Sequence, residues 1–419
     1  MLPVRTHAEV IKLDFEFTEE EKMFRDSIRD FLEKEFAPIA DERDRKGPFT
    51  KEEAIDIMKK FKKIGVALDP ESAKALFAED PVIFGIVSEE VGRVWASLLP
   101  IFGMSSLPAM FVPLASDETQ DRLMPKLERA EFIGCFAETE TEAGCDTSEL
   151  QTTAKLEGDH YIINGSKTWI SNATIADVAY VGAKDLSTGT ESFFLLEKDV
   201  APFDTNELHK IGWKAAPTGE MFFEDCKVAK ENEMSAMMGK AFSDPKLMEL
   251  LPLSEGMMRL LSQMSPFTAL MTLPRCGMGL TSIGIAQAAF EASVKYAKER
   301  VQFGKPIGKF QLIQEMLYNM NVRIETGRLL GYKAIDAIAK GSREARRLSS
   351  MAKVYGGEAA VKVTYDALQI HGGLGLSDEM PLERYYRDAR MMTIPDGTSE
   401  MMKLITGYTI LGKGFSAYT

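Results

Sequence analysis

The sequence predicts an α+β fold in which a small, mostly antiparallel β-domain sits between two helical domains. Three observations carry that reading. Apolar residues recur at helical spacing up to about residue 130; residues 132–228 are rich in β-branched and aromatic side chains with frequent turn signals; long helical stripes return from about 244. With 419 residues, 45% of them apolar and 27% charged, the chain is long enough to bury several cores and too apolar to stay disordered.

Taken in order, Thr18 with Glu21 forms a capping box, after which Phe24, Ile28, Phe31, Leu32 and Phe36 share one helix face until Pro38 stops it. Further helices are expected over 51–64, 80–95 and 117–129. In the middle, 161–163 and 167–170 flank Asn164-Gly165 and read as a hairpin with an Asn-Gly turn; 191–196 and 220–223 read as further strands. Ile283, Ala286, Phe290, Val294 and Ala297 make one later stripe, and Leu312, Met316, Met320 and Ile324 a second. Segments 361–370 and 399–411 complete a long-helix bundle. The expected domains are 1–129, 130–243 and 244–419. The Met-rich segment 234–271 reads as an adaptable lid or interface, or as part of a pocket.

Composition excludes several classes. A net charge of −13 argues against a nucleic-acid or anionic-membrane surface. Cys135, Cys145, Cys226 and Cys276 form no C-x-x-C pair, and His7, His160, His209 and His371 form no metal-binding spacing, so neither a disulfide framework nor a metal is expected. No apolar run is read as long enough to span a bilayer; the best, 276–290, is broken by Gly277, Gly279 and Gly284. The opening MLPVRTHAEV lacks the apolar run of a secretory signal, and a cytoplasmic protein is expected.

Single motifs are ambiguous. Gly372-Gly373-Leu374-Gly375 suits a helix-ending turn or a phosphate cradle. Pro395-Asp396-Gly397-Thr398 is an ordinary turn sequence, and Trp169 reads as core or as a ligand contact. Together they say more. Phe136-Ala137-Glu138-Thr139-Glu140 with Ala143-Gly144-Cys145-Asp146, the run from Ile163 to Asn172, Arg300 to Ile307 followed by Phe310-Gln311, Gln369-Ile370-His371-Gly372-Gly373, Arg384 with Arg387 to Arg390, and Asp396 to Glu400 stand in one order. In that order the chain resembles the acyl-CoA dehydrogenase family of FAD-dependent flavoproteins over nearly its whole length.

The resemblance implies an acyl-CoA dehydrogenase-like fold and roles position by position. Phe136 and Thr139 would lie against the flavin, with Trp169 and Ser171 covering its other side. Arg300, Gln302, Phe303 and Gln311 would meet the pyrophosphate or adenine end of an FAD held largely by a neighbouring subunit, as would Gln369, Gly372 and Gly373; Thr398 and Glu400 would help hold it near the base. Such sharing implies a homotetramer built as a dimer of dimers. Cys145 and Arg275 would meet the CoA thioester, with Gly397 beside the reacting carbon. His371 is read as a packing residue, and Arg387 with Asp388 as a structural ion pair.

In the family a carboxylate takes the α-proton of an acyl-CoA and the β-hydrogen leaves as hydride to flavin. The usual base is a Glu; here Asp396 stands in its place, shorter by one methylene, so its carboxylate should sit about 1.5 Å further back. Pro395 replaces an aromatic, and Pro274, ahead of Arg275, leaves the alternative base position without an acid. Both changes at the base turn imply room for a bulky or alicyclic acyl group, such as cyclohexane-1-carboxyl-CoA going to cyclohex-1-ene-1-carboxyl-CoA. Alternatives are a branched-chain substrate, a 1,4-dehydrogenase needing a second acid for which Glu89 or Glu90 is the ambiguous reading, and a nitroalkane-oxidase-like flavin oxidase. No arginine is evident for a glutaryl carboxylate. An electron-transfer flavoprotein is the implied acceptor.

Overall fold

The computed structural model describes residues 16–412 together with 414, 415 and 417; the opening MLPVRTHAEV, with His7, lies outside them. Thr18 and Glu21 exchange the two hydrogen bonds of the capping box (3.2 and 2.5 Å) and open α1 (Glu19–Glu35). There follow α2 (Ala40–Arg45), α3 (Lys51–Lys62), α4 (Pro70–Lys74), α5 (Pro81–Trp95), α6 (Leu99–Phe111) and α7 (Asp117–Glu128). Thr50, Asp69, Asp80 and Ser116 cap α3, α4, α5 and α7 through their side chains. The sequence pattern conceals α6, which carries Pro100 in its first turn and Pro108 inside.

One expectation about this region is corrected. The stretch Pro81–Leu114 is long and apolar enough to cross a membrane by length and composition. In the fold a short turn, Ala96–Leu98, divides α5 from α6, and Trp95, Leu98, Ile101, Phe111 and Val112 are buried, so its apolar character serves the core.

The middle of the chain forms β1 (Gly134–Ala137), β2 (Thr153–Glu157), β3 (His160–Ser171), β4 (Val178–Asp185), β5 (Glu191–Glu197), β6 (Asp204–Glu207) and β7 (Thr218–Ala229). They make one sheet in the order β1-β4-β2-β3-β7-β6. β5 runs antiparallel along one edge of β4, while β1 and β2 share its other edge in parallel. The expected hairpin at Asn164-Gly165 does not form. β3 passes straight through, and its register against β7 slips between Ile163 and Gly165. The slip is a bulge: Gly165 has φ +147°, a Cβ there would lie 2.5 Å from Thr152 Oγ1, and the Asn164 amide grips Asp225 (3.1 and 2.8 Å). The chain turns instead at Gly158, φ +66°, between β2 and β3.

Helices resume at once with α8 (Met234–Ser243), α9 (Pro245–Leu250), α10 (Glu255–Leu261) and α11 (Pro266–Leu270). The long α12 (Thr272–Glu299) leads through a two-stranded ribbon, β8 (Val301–Gln302) and β9 (Lys305–Pro306), to α13 (Gln311–Ala339), α14 (Ala345–His371), α15 (Leu382–Met391) and α16 (Ser399–Leu411). α12 is the hub, packed by α5, α13 and α14. It meets α14 at two glycines: a Cβ on Gly279 would lie 2.6 Å from Ala352 O, and one on Gly356 2.5 Å from Gly279 O.

Near α15 the ion pairing differs from expectation. Arg387 binds Glu383 (2.6 and 2.9 Å) and Asp44 (3.3 Å), whereas Asp388 accepts the Trp213 N–H (2.7 Å). Neighbours in sequence on a helix point apart, which is why the two do not pair. His371 is buried, stacked on Tyr296 with ring centroids 4.3 Å apart and its Nδ1 2.8 Å from Ala367 O, a packing role.

Candidate active site

Where α4, α5, α6, β1, the 250–271 segment and α12 converge, they enclose a cavity of about 170 Å³. Its wall is apolar: Phe77, Phe84 and Phe136 supply rings, and Met104, Met110, Met257, Met271 and Met278 adaptable thioethers. The Met-rich segment is therefore ordered into short helices, and Leu250, Pro252, Leu253, Met257, Leu270 and Met271 belong to the pocket. Among the described residues, Ser106 and Asp396 are the only lining residues with polar side chains, and Asp396 the only acid. Pro274, the alternative base position, also faces the cavity.

Asp396 lies in the turn before α16. It adopts φ +57°, and Gly397 follows at φ +93°. Two successive left-handed residues bend the backbone sharply, a geometry that Asp and Gly tolerate best. Behind the turn, Arg275 on α12 donates Nε to Asp396 O (3.2 Å), and Lys353 on α14 donates Nζ to Gly397 O (2.7 Å). Both cations are buried. Each stands about one turn from the glycine contact of its helix, so the close crossing of α12 and α14 brings the two cations together. Burial pushes the Asp396 carboxyl above the usual carboxylate range, against the opposing pull of Arg275 and Lys353. A second acid is nearby. Glu138, two residues along from Phe136, is half-buried and pushed up to about 7 by burial, with Glu191 adding to the effect.

The other anticipated residues fall into five groups. Phe136 is in the cavity wall, and the Thr168 N–H donates to Thr139 O (2.9 Å), tying Thr139 to β3 beside Trp169 and Ser171. Trp169 has φ +61° and is 57% exposed, so it is not core. Arg300, Gln302, Phe303, Gln311, Gln369, Gly372 and Gly373 are all exposed, and none lines the cavity. Thr398 caps α16 by accepting the Met401 N–H (3.3 Å), and Glu400 is exposed in its first turn. Cys145 is exposed outside the cavity wall, and Arg275 engages the base turn. Glu89 binds Arg328 (2.8 Å) and Tyr332 (3.1 Å), while Glu90 binds Arg29 (2.5 Å) and Arg93 (3.0 Å); neither faces the cavity.

Comparison with known proteins agrees with this architecture. The N-terminal, middle and C-terminal domain families of acyl-CoA dehydrogenases match residues 18–131, 135–226 and 266–411. A glutaryl-CoA dehydrogenase of Desulfococcus multivorans is 34% identical over 96% of this chain and 98% of its own. The chain belongs to the acyl-CoA dehydrogenase family. The CarC subunit of the caffeyl-CoA reductase-Etf complex of Acetobacterium woodii is 35% identical over 95% of this chain and 100% of its own. The solved butyryl-CoA dehydrogenase of Megasphaera elsdenii has a TM-score of 0.80 and 31% identity, with 96% of this chain and 100% of that one covered.

Acyl-CoA dehydrogenases are FAD-dependent oxidoreductases acting on CH–CH bonds, and the residues present here suit that cofactor. Trp169, and Phe303 at 93% exposure, offer flat apolar surface that the chain itself leaves open. No atom lies within 4 Å of a Cβ built on Gly372 or Gly373, so their backbone is accessible to an approaching anion. The other anticipated residues contribute hydroxyls, amides and one guanidinium, side chains of the kind that can bond a flavin ring and a pyrophosphate. Among the described residues no cluster of His, Cys, Asp and Glu is arranged to hold a metal.

Proposed function

We propose that this acyl-CoA dehydrogenase desaturates a bulky, ring-bearing acyl-CoA, with cyclohexane-1-carboxyl-CoA as the type substrate and Asp396 as the base for the α-proton. One observation carries the reading: among the described residues Asp396 is the sole acid in a wall that is apolar but for Ser106 and is lined by phenylalanines. A thioester α-proton is weakly acidic, so its base must be held at the reacting carbon and kept out of water. The left-handed turn does the first and the cavity the second. FAD would be held at one end by Phe136, Thr139, Trp169 and Ser171 and at the other by Arg300, Gln302, Phe303, Gln311, Gln369, Gly372 and Gly373 of a neighbouring subunit, and would supply the acceptor for the β-hydrogen. Thr398 and Glu400 complete that set, and Cys145 and Gly397 meet the thioester.

The wall bears on the acyl group. Among the described residues it presents no cation to meet a distal carboxylate, which disfavours a glutaryl-type diacid. Glu89 and Glu90 are committed to arginines and Glu138, though near Asp396, lies outside the lining, which favours removal of hydrogens from adjacent carbons over a 1,4-elimination. A relative named for a caffeyl thioester and for Etf supports both a ring-bearing acyl group and an electron-transfer flavoprotein as acceptor. Exposed Phe303, Leu312, Tyr318 and Leu329 support the expected tetramer.

Anaerobic titration of the flavoprotein with straight, branched and cyclic acyl-CoAs tests this. Cyclic thioesters should bleach the flavin band at the lowest concentrations, and Asp396→Ala should slow bleaching at least about a hundredfold while FAD stays bound. A spectrum indifferent to every thioester, or an Asp396→Ala variant bleached at the original rate, would overturn the proposal.

A further inference from the structure

Lys353 has no exposed surface and sits in the middle of α14 among small residues, where an apolar side chain would ordinarily pack. A wholly buried ammonium is costly unless something holds it. Its hydrogen bond is to the backbone of the base turn, Gly397 O at 2.7 Å. The groups facing it are few. Asp396 comes from the turn, Arg275 from α12, Glu400 from α16 and Glu358 from its own helix; Glu358 is itself paired with Lys403 at 2.5 Å. Glu138 approaches Asp396 from the end of β1.

We propose that Lys353 is a positioning residue for the α-proton transfer: it pins the Asp396 turn through the Gly397 carbonyl, and its charge keeps Asp396 ionised toward the acid end of the activity range. The inference rests on Asp396 being the base. The geometry gives it two separable parts, a mechanical one through the hydrogen bond and an electrostatic one through the charge. Arg275 supplies a second contact to the same turn, so removing Lys353 should loosen the turn without releasing it. Burial pulls the Lys353 ammonium down to about 8, which brings its deprotonation within reach of a pH profile. Below that pH the ammonium opposes the effect of burial on Asp396; above it the opposing charge is gone and the base binds its proton more tightly.

The experiment uses the holoenzyme and two variants, Lys353→Met and Lys353→Arg, with melting temperatures recorded for each. The first readout is kcat/KM against pH with the best acyl-CoA from the titration above. The second needs no turnover: infrared titration of the Asp396 carboxyl, assigned by difference from Asp396→Asn. Lys353→Met should move the acid limb and the infrared midpoint upward by about one pH unit, which lowers kcat/KM on that limb about tenfold. Lys353→Arg should keep both the acid limb and the infrared midpoint in place, because a guanidinium stays charged throughout. A purely structural lysine would lower activity in Lys353→Met with the acid limb and the infrared midpoint unmoved, and that result would overturn the inference. Should Lys353→Met fail to fold, Lys353→Gln, equally neutral, is measured in its place. An active Asp396→Asn enzyme would instead defeat the assignment of the base, an outcome distinct from an unmoved acid limb over an inactive Asp396→Asn.

Discussion

At position 396 the backbone is as informative as the side chain. A φ of +57° followed by +93° at Gly397 places the carboxylate on a tight hook, fixed from behind by Arg275 and Lys353. On such a hook the reach of the side chain sets the distance to the substrate, because the main chain is too constrained to compensate. Asp396→Glu adds about 1.5 Å of reach and intrudes by one methylene into the cavity. It should therefore favour slim straight-chain thioesters over cyclic ones, with kcat/KM for a cyclohexane-carboxyl thioester falling at least about tenfold, the scale of discrimination that one methylene provides. Steady-state kinetics on both substrates measures this. Improved straight-chain turnover with cyclic turnover intact would show that reach at 396 does not select the acyl group.

At the scale of elements, legibility followed local chemistry. The capping box at Thr18, the strand at 191–196 and the helix at Ser399–Leu411 could be read directly, because each is specified by residues adjacent in sequence. Asn164-Gly165 misled because one dipeptide serves both a turn and a bulge, and only the partner strand, through Asp225, decides between them. The Asp396 turn was visible as a motif. Lys353 was not singled out, although a lysine interrupting the buried stripe of Ser349, Ala352, Gly356 and Ala360 was the available signal. The reason it sits there is long-range: Gly279 and Gly356 let α12 and α14 approach until their backbones touch. Gly356→Ala would set a methyl 2.5 Å from Gly279 O, so the helices must part. Overpacking of this kind costs about 1–3 kcal/mol. The variant should show that loss in chemical denaturation, together with a weaker response of the flavin to acyl-CoA, because parting the helices displaces Arg275 and Lys353. A loss of stability with an unchanged response would mean that the crossing does not position the cations.

Across the whole molecule, one buried acidic cluster joins the three parts of the chain. Asp44 of α2 receives Trp95 Nε1 (3.3 Å), Ser97 Oγ (3.2 Å) and Arg387 of α15 (3.3 Å). Asp388, also on α15, holds the Trp213 N–H in the segment between β6 and β7, and its second oxygen is buried without a hydrogen-bond partner. Arg384 links α15 to Asp41 (2.7 Å) and to Val94 O (3.1 Å). The N-terminal helices, the sheet and the C-terminal bundle thus meet at α15. Burial, and then the neighbouring Asp44 charge, push Asp388 up to about 7. A carboxyl whose folded pKa lies above its unfolded value of about 3.9 binds more protons in the folded state between those two values. Its stabilising contribution is therefore complete below the unfolded pKa and is lost as pH rises through about 7. Asp388→Asn keeps an oxygen for the Trp213 N–H and offers an N–H toward the acidic neighbour, with no charge to bury. Its melting temperature should exceed that of the wild type most above neutral pH and converge with it only as the pH falls to about 3.9. A constant offset at every pH would mean that Asp388 is held ionised by Arg384 and Arg387, and that the three parts of the chain are joined at α15 by an ion pair.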